Sequence, residues 1–388
     1  MKKILLSIIT ISSLAQAANS EFFKMNVSSE TVGMANLTSG KGMINATFRN
    51  PASLHRITNE EGFEVNLLDM SVSGSSSFVD FAQDMQTAID GTTEDILDVV
   101  KKYNGSNFNF NSSIFSSIAK KESKFTWGIG IFNTTGVNLQ PHNGGSEGFI
   151  EAAGSNYLGI TLNASKDWKL FNRDTVNVGV GVKYISSTTF RTNLSPTELL
   201  DNQNDLANYI LDNYKKDNTY MTLDIGAIYD LKYFKNIKTS FGISILNLGE
   251  ADSIEEYYRI PTTVNLGYTI QPQLEGKLAL FNRASFSIDF NDIFFNQTMS
   301  STVNNNTTLY ADNDLLKRIN YGVNVNLLDS KYFNSNINLG MYQNAYTAGI
   351  NLRTAISEFS FTTYQEEISP EIGLLSDRRY IFSTSIKW

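Results

Sequence analysis

Two histidines are the residues of this chain that could take part in catalysis, because a Ser/His hydrolase or an Asp/His protease needs an imidazole within hydrogen-bond reach of its partner. His55 follows the segment Asn50-Pro51-Ala52, and His142 stands in Pro141-His142-Asn143-Gly144-Gly145, which has the composition of a turn. Both contexts favour a structural or solvated histidine. The sequence therefore gives no sign of a hydrolase centre.

Two carboxylate pairs, Glu255-Glu256 and Glu366-Glu367, offer acid/base groups of another kind. Both fall in segments predicted to be extracellular loops, where a solvated or cation-bridging role is favoured over catalysis, and we expect no enzyme. With two histidines and no cysteine, a His/Cys metal site is not expected, and no cofactor is predicted. A net charge of −8 argues against a nucleic-acid partner, whose phosphates require a basic surface.

The first 17 residues have the pattern of an export signal. Lys2 and Lys3 form a positive start, residues 4–14 are apolar, and Ala15-Gln16-Ala17 provides the small residues of a cleavage site. We therefore predict a signal peptide over residues 1–17 and a mature chain that leaves the cytoplasm. Because cysteine is absent, the chain cannot carry a lipoprotein anchor or a disulfide.

The apolar residues after the signal are arranged for strands. No later apolar run approaches the roughly 20 residues of a helical membrane span, so a membrane crossing would require a barrel. A mean hydropathy of −0.20, with 18 tyrosines and 25 phenylalanines, fits strands that have one apolar and one wet face. Val176, Val178 and Val180 alternate with Asn177 and Gly179, and similar alternation recurs along the chain. We count about fourteen such strands.

The lengths of the connections alternate as well. Bacterial barrels have short periplasmic turns and longer extracellular loops, and here most of the even-numbered connections are short. Only the sixth odd-numbered connection, near Gln343, is short. The long odd-numbered connections are predicted at Ser75 to Gly105, Leu139 to Glu147, Arg191 to Asp217, Gly249 to Arg259, Ile293 to Lys317 and Gln365 to Asp377. In a soluble β-sandwich, nothing makes the odd-numbered connections longer than the even-numbered ones. We therefore predict a barrel in the outer membrane of a Gram-negative bacterium.

The last strand resembles the closing strand of outer-membrane barrels. Tyr380, Phe382, Ile386 and Trp388 share one face of an extended segment that ends on an aromatic residue. This resemblance implies that these residues form the signal read by the barrel assembly machinery, and it implies outer-membrane lipid and lipopolysaccharide as the surroundings of the barrel.

The N-terminal part of the mature chain resembles the FadL-like outer-membrane family. That family has a Gly-Met-Gly-Ala-like segment followed by Asn-Pro-Ala-x-Leu, and this chain has Gly33-Met34-Ala35-Asn36, then Asn50, Pro51 and Ala52. Asn36 departs from the small residue usual at its place. The resemblance implies a plug over residues 18–60, a transmembrane barrel over 61–388, and motif residues Gly33, Asn50, Pro51 and Ala52.

Two functions follow from this resemblance. The first is passive uptake of hydrophobic compounds such as long-chain fatty acids. The second is a non-transporting barrel like the TraF-like conjugal transfer proteins, acting in conjugation, secretion or surface assembly. The helical insertions predicted in the first and third loops are closer to the TraF-like branch.

Those two loops are predicted to contain short amphipathic helices. Ser195 and Glu198 form a capping box with Pro196 at the first helical position, and apolar residues recur at helical spacing in both loops. Their apolar faces either cap the barrel mouth or form a groove for an apolar ligand. The candidate contacts are Phe81, Met85, Ile89, Leu199, Leu206 and Ile210.

Overall fold

The computed structural model confirms an all-β fold in which fourteen antiparallel strands form a closed barrel. It describes residues 23–32, 35–57, 62–123, 125–144, 147–170, 174–231, 236–249, 260–274, 283–303, 306–330, 332–369, 372–373 and 375–388. The predicted signal peptide lies outside these residues, as does Gly33.

Neighbouring strands pair in chain order, and the first strand closes the barrel against the last. The barrel strands are β1 Phe63–Ser75, β2 Phe108–Lys121, β3 Thr126–Gly144, β4 Glu147–Leu170, β5 Asp174–Leu194, β6 Lys216–Leu231, β7 Ile237–Leu248, β8 Thr263–Pro272, β9 Ala284–Phe290, β12 Ile319–Asp329, β13 Phe333–Tyr342, β14 Ala345–Thr354, β15 Ser357–Glu367 and β16 Ser376–Lys387. A separate hairpin, β10 Thr298–Val303 and β11 Asn306–Ala311, belongs to the connection between β9 and β12. We call the end where β1 begins the lower end and the opposite end the upper end.

The outer face of the barrel is apolar. Leucine, isoleucine and phenylalanine side chains stand exposed on every second position of the strands, as at Ile129, Ile131 and Leu162. Trp127, Trp168 and Trp388 lie at strand ends of the lower rim and are 39%, 46% and 52% exposed, as aromatic residues are at a membrane interface. A closed barrel with this surface spans an outer membrane.

The connections differ between the two ends. Lower connections such as those at residues 122–125, 330–332 and 355–356 are short, whereas several upper connections hold helices or the β10–β11 hairpin. The sixth upper connection is a two-residue turn in which Gln343 and Asn344 have φ values of 47° and 62°, as type I′ hairpins require. From the loop-length rule we expect the upper end to face the exterior of the cell and the lower end to face the periplasm.

The second upper connection corrects the sequence prediction. Residues from Leu139 to Glu147 were expected to form a long loop, but β3 continues to Gly144 and pairs there with β4, which is 24 residues long. The Pro-His-Asn-Gly composition resembles a turn, yet the strands persist because helices of the neighbouring loops bury their outer faces near Val137 and Ile150. Strands β3 to β5 therefore extend well above the roughly 10 residues that cross the membrane.

The described N-terminal residues lie inside the barrel. They form α1 Ser29–Val32, α2 Gly42–Phe48 and a 3₁₀ helix over Pro51–Arg56, and they pack mainly against β2 to β6. The upper loops add α3 Phe78–Ile89, α4 Thr93–Lys102, α5 Pro196–Asp201, α6 Leu206–Tyr214 and a 3₁₀ turn over Leu316–Arg318. No helix within the described ranges combines the length and apolarity of a membrane span.

Apolar packing attaches this N-terminal segment, residues 23–57, to one side of the wall. The ring of Phe48 meets the edges of Phe115 on β2 and Phe132 on β3 at centroid distances of 5.5 and 5.4 Å. Met43 and Leu54 are fully buried in the same cluster. Because the segment fills the side of the lumen beside β2 to β6, open space remains beside the other strands.

Candidate functional site

The Asn50-Pro51-Ala52 turn attaches the N-terminal segment to the wall through hydrogen bonds. The Asn50 Oδ1 accepts from the Ala52 N–H at 3.0 Å and caps the 3₁₀ helix, in which Pro51 is the first residue. The Asn50 Nδ2 donates to the carbonyls of Ala227 and Ile243 at 3.3 and 3.2 Å. One side chain thus fixes both the turn and its position against β6 and β7.

Two glycines form the patch of the wall that this turn contacts, so no side chain projects there. Gly179 on β5 pairs with Gly226 on β6, and a Cβ at either position would overlap Pro51 or Asn50. The two glycines therefore allow the turn to approach the backbone of the sheet. Sequence reasoning missed them, although glycine on the inward positions of otherwise β-branched strands was a signal.

Below the turn, two further residues of the segment bind the wall. His55 contacts the Thr126 hydroxyl through Nδ1 at 2.9 Å and Asp167 through Nε2 at 3.1 Å, so both ring nitrogens have partners. Arg56 pairs with Asp230 on β6. These contacts give His55 a structural role, as its sequence context predicted.

Above the turn, Asp289 on β9 connects the segment to the opposite wall. Its Oδ2 accepts from the Leu37 N–H at 3.0 Å and from Arg49 at 3.1 Å. Arg49 also donates to Asn36 at 2.9 Å, and Asn36 donates to Asn45 at 3.1 Å. We call these four side chains, Asn36, Asn45, Arg49 and Asp289, the polar latch, because they cross the lumen between two cavities.

The upper cavity, of about 120 Å³, lies above the polar latch between the segment, the middle of β5 and the upper ends of β7, β8, β12 and β13. Its apolar lining is Phe23, Met25, Val32, Leu37, Phe48 and Leu246. Leu246 reaches the lumen through a bulge in β7, where Asn247 has a φ of 58° and the pairing with β6 shifts by one residue.

Four cations also line the upper cavity, and each forms an ion pair with a carboxylate of the barrel. Lys183 pairs with Asp224 at 2.8 Å and donates to the Asn247 Oδ1 at 3.0 Å. The other pairs are Lys24 with Glu366, Arg49 with Asp289, and Lys317 with Asp312. The charges of the upper cavity are therefore neutralised within the protein. The rest of its lining consists of neutral polar side chains, among them Asn26, Thr263 and Gln297, so the cavity favours an uncharged compound.

The lower cavity, of about 890 Å³, lies beneath the polar latch. It is bounded by the segment from Ala35 to Asn45 and by the lower ends of β7 to β9, β12 to β16 and β1. Its lining is rich in asparagine, serine and basic residues. A wet, predominantly polar lumen of this kind is usual inside a membrane barrel.

The loop helices do not cap the mouth, which corrects one sequence expectation. They pack on Phe108, Val137, Ile150 and Phe190, which share the outward face of β2 to β5, and Phe81 stacks on Phe108 at 4.0 Å. The six candidate ligand contacts, Phe81, Met85, Ile89, Leu199, Leu206 and Ile210, join this outer cluster and lie outside the lumen. The β10–β11 hairpin, not a helix, reaches across the mouth to β5.

Polar contacts fix the ends of the loop helices. The predicted capping box is present, with the Ser195 Oγ accepting from the Glu198 N–H at 3.2 Å and the Glu198 carboxylate accepting from the Ser195 N–H at 2.9 Å. Lys102 and Tyr103 both donate to Asp84, and these hydrogen bonds hold the pKa of that carboxyl below its usual value. These residues therefore stabilise the cluster, and no cavity described in the lumen involves them.

The residues of the predicted assembly signal lie on the outward face of β16. Tyr380 and Phe382 are about half exposed, and the Trp388 backbone exchanges two hydrogen bonds with Val65 on β1, at 2.9 and 3.0 Å. Within the described part of the chain, no group of three metal-ligating side chains occurs.

Several solved structures are similar to this chain over nearly its whole length. The toluene transporter TodX of Pseudomonas putida has a TM-score of 0.49 and 11% identity, with 96% of this chain and 98% of that chain covered. A Pseudomonas aeruginosa FadL homologue gives 0.49 and 10%, with 96% and 99% covered. The toluene transporter TbuX of Ralstonia pickettii gives 0.47 and 10%, with 95% and 98% covered. No family model and no curated protein matches the chain, so its function is argued from its own residues.

Proposed function

We propose that this barrel takes up small, uncharged, apolar compounds passively across the outer membrane through its lumen. The observation that carries the proposal is the upper cavity, which is lined by apolar side chains, by neutral polar side chains such as Asn265 and Gln297, and by ion pairs that are neutralised within the protein. Its volume of about 120 Å³ is close to the roughly 150 Å³ of an apolar cavity that binds benzene. A single ring therefore matches this cavity better than a whole long-chain fatty acid does.

Passage beyond the upper cavity needs a change in the N-terminal segment. The polar latch blocks the direct path to the lower cavity, and the bonds of Asp289 to Leu37 and Arg49 must break before a compound can pass. Each such bond stabilises the closed state by roughly 1–3 kcal/mol, which thermal fluctuation can overcome. A long-chain fatty acid would require a larger displacement of the segment, and its carboxylate would compete with Asp289 for Arg49.

Filling the upper cavity tests this proposal. Leu246→Trp places a ring inside the cavity, whereas Leu248→Trp places the same ring on the exposed, lipid-facing side of β7. We expect Leu246→Trp to lower the uptake of radiolabelled toluene by at least tenfold in cells without other such channels. Leu248→Trp should leave uptake unchanged at equal outer-membrane abundance. Normal toluene uptake by an assembled Leu246→Trp barrel would exclude the upper cavity as the route.

The outer cluster of loop helices favours a second candidate function. With the upper parts of β3 to β5 it forms a lobe above the membrane, which could dock a secretion or conjugation partner. In that case toluene and oleate uptake would be the same with and without the wild-type barrel. Loss of transfer or secretion in cells that lack the barrel would then identify the docking function.

A further inference from the structure

The side chain of Lys24 crosses the lumen beside the upper cavity. The next residue, Met25, is bound to β3, where the Thr134 hydroxyl donates to its carbonyl at 2.7 Å. The Lys24 ammonium instead reaches Glu366 on β15, with which it forms an ion pair. In the closed barrel three strands, β2, β1 and β16, separate β3 from β15. Because Lys24 also lines the upper cavity, its side chain links two separate parts of the wall along one side of that cavity.

The pocket that receives this ammonium is built from β13, β15 and the turn after β13. Two of its walls are the rings of Tyr342 and Tyr364, whose centroids lie 5.5 and 6.0 Å from the Lys24 Nζ. The two rings pack edge to face at a centroid distance of 5.7 Å. The side chain of Glu366, which carries the negative charge, is fully buried. A buried carboxylate beside two aromatic faces is the composition that recognises an organic cation.

Contacts within the wall hold this pocket in shape independently of Lys24. The Glu366 Oε1 accepts from the Gln343 Nε2 at 3.0 Å and from the Tyr342 hydroxyl at 3.4 Å. Gln343 is itself fixed, because its Oε1 accepts from the Glu367 N–H at 2.6 Å. Lys24 binds the other oxygen of the carboxylate, Oε2. Removing the Lys24 side chain therefore leaves a preformed pocket whose buried negative charge has lost its cation, which is unfavourable.

We propose that the Glu366 pocket is a binding site for a primary ammonium group, that Lys24 is its internal ligand, and that this ion pair restricts access to the upper cavity. A primary ammonium brings the N–H donors that the Glu366 carboxylate accepts, whereas a quaternary ammonium has none. A small alkylammonium can therefore occupy the pocket once the Lys24 side chain is removed. The proposal concerns the pocket and access to the cavity, and it does not depend on which compounds the barrel takes up.

Ligand-detected NMR titration of purified barrels in detergent tests the binding. The probes are n-butylammonium, tetramethylammonium, which has charge but no N–H donor, and n-butanol, which has no charge. We expect Lys24→Ala to bind n-butylammonium with a Kd below about 10 mM, at least about tenfold tighter than it binds the other two probes and than the wild type binds n-butylammonium. Adding Glu366→Gln, which keeps the shape of the pocket, should abolish the binding. No binding by an assembled Lys24→Ala barrel, or binding that survives Glu366→Gln, would overturn the proposal.

Thiol labelling tests the restriction of access. Because the chain has no cysteine, Leu246→Cys places a single thiol in the upper cavity, and its reaction with a sulfonatoethyl methanethiosulfonate reports access. In this background we expect Lys24→Met, which keeps the length of the side chain but removes its charge, to react at least about tenfold faster. The control is Lys215→Met, which removes an exposed ion pair with Asp217 at the upper end and should leave the rate unchanged. Heat-modifiable gel mobility verifies that each barrel is folded. Equal rates in Lys24→Met and Lys215→Met would overturn the role of Lys24 in restricting access.

Discussion

Asn50 uses both ends of its carboxamide, and this makes it the main anchor of the N-terminal segment. Its oxygen organises the turn and its nitrogen joins two strands of the wall. The sequence predicted the turn, because Asn-Pro favours one. It could not predict the carbonyls of Ala227 and Ile243 as partners, since these lie 177 and 193 residues further along the chain.

Placing a methyl group at Gly226 should weaken this anchor. In Gly226→Ala the new Cβ occupies the place of the Asn50 side chain, which must move and lose up to three hydrogen bonds of roughly 1 kcal/mol each. We expect a normal barrel that admits small polar antibiotics several-fold faster than the wild type. Antibiotic susceptibility and the conductance of single barrels in a bilayer measure this.

Gly74→Ala is the matched control, because a Cβ there would meet its nearest neighbour at an ordinary 3.4 Å. It should behave as the wild type. If Gly226→Ala assembled fully and its permeability matched that of Gly74→Ala, the Asn50 turn would not restrict passage through the lumen.

At the scale of elements, the alternation of apolar and polar residues predicted the strands because the outward face of each strand contacts lipid where it crosses the membrane. It failed where the environment changes along a strand. In β1, Leu67 and Leu68 both point outward at a bulge, which shifts the phase of the alternation. Above the membrane, β3 and β4 keep apolar residues such as Val137 and Ile150 on the outward face, where helices cover them instead of lipid, and a two-residue period cannot show what covers a strand.

The position of the loop helices could not be predicted from the sequence, for a similar reason. Helical spacing predicted their apolar faces and the Ser195 capping box, but an amphipathic helix does not specify which apolar surface it covers. The surface is the outward row of Phe108, Val137, Ile150 and Phe190. The helices therefore stabilise the extended strands, and the six ligand contacts proposed for them have no place in the luminal route.

Truncating one residue of this cluster should loosen the helices and spare the barrel. Phe81 is 2% exposed and stacks on Phe108, so Phe81→Ala costs about 3–5 kcal/mol locally. We expect tryptic cleavage at Lys101 and Lys102 to accelerate by at least roughly a hundredfold, because cleavage follows the population of the opened loop. Toluene uptake should stay normal.

Val79→Ala is the control for this experiment, since Val79 lies on the same helix and is 60% exposed. It should leave the cleavage rate within a factor of about two. A fall in toluene uptake in Phe81→Ala but not in Val79→Ala would show that the loop helices take part in ligand passage and would contradict a purely structural role.

At the scale of the whole molecule, the two cavities differ in chemistry because the segment divides the lumen unequally. The polar latch separates a small upper cavity with neutralised charges from a wide basic lower cavity. The sequence predicted a plug from the Asn-Pro-Ala resemblance. It could not predict this division, since the latch joins Asn36, Asn45 and Arg49 to Asp289, which is 240 residues beyond Arg49.

The orientation of the barrel in the membrane determines which compartment each cavity faces, and cysteine labelling can establish this orientation. Because the chain has no cysteine, single cysteines can be placed at exposed positions of either end. Gln203→Cys lies beside α5 at the upper end, and Asn236→Cys lies just before β7 at the lower end. We expect a membrane-impermeant maleimide to label intact cells only at position 203, because long connections face outward. Both variants should react fully after lysis, which controls for thiol accessibility. Labelling of intact cells at position 236 alone would reverse the barrel, so that the lower cavity would face the exterior and the upper cavity the periplasm.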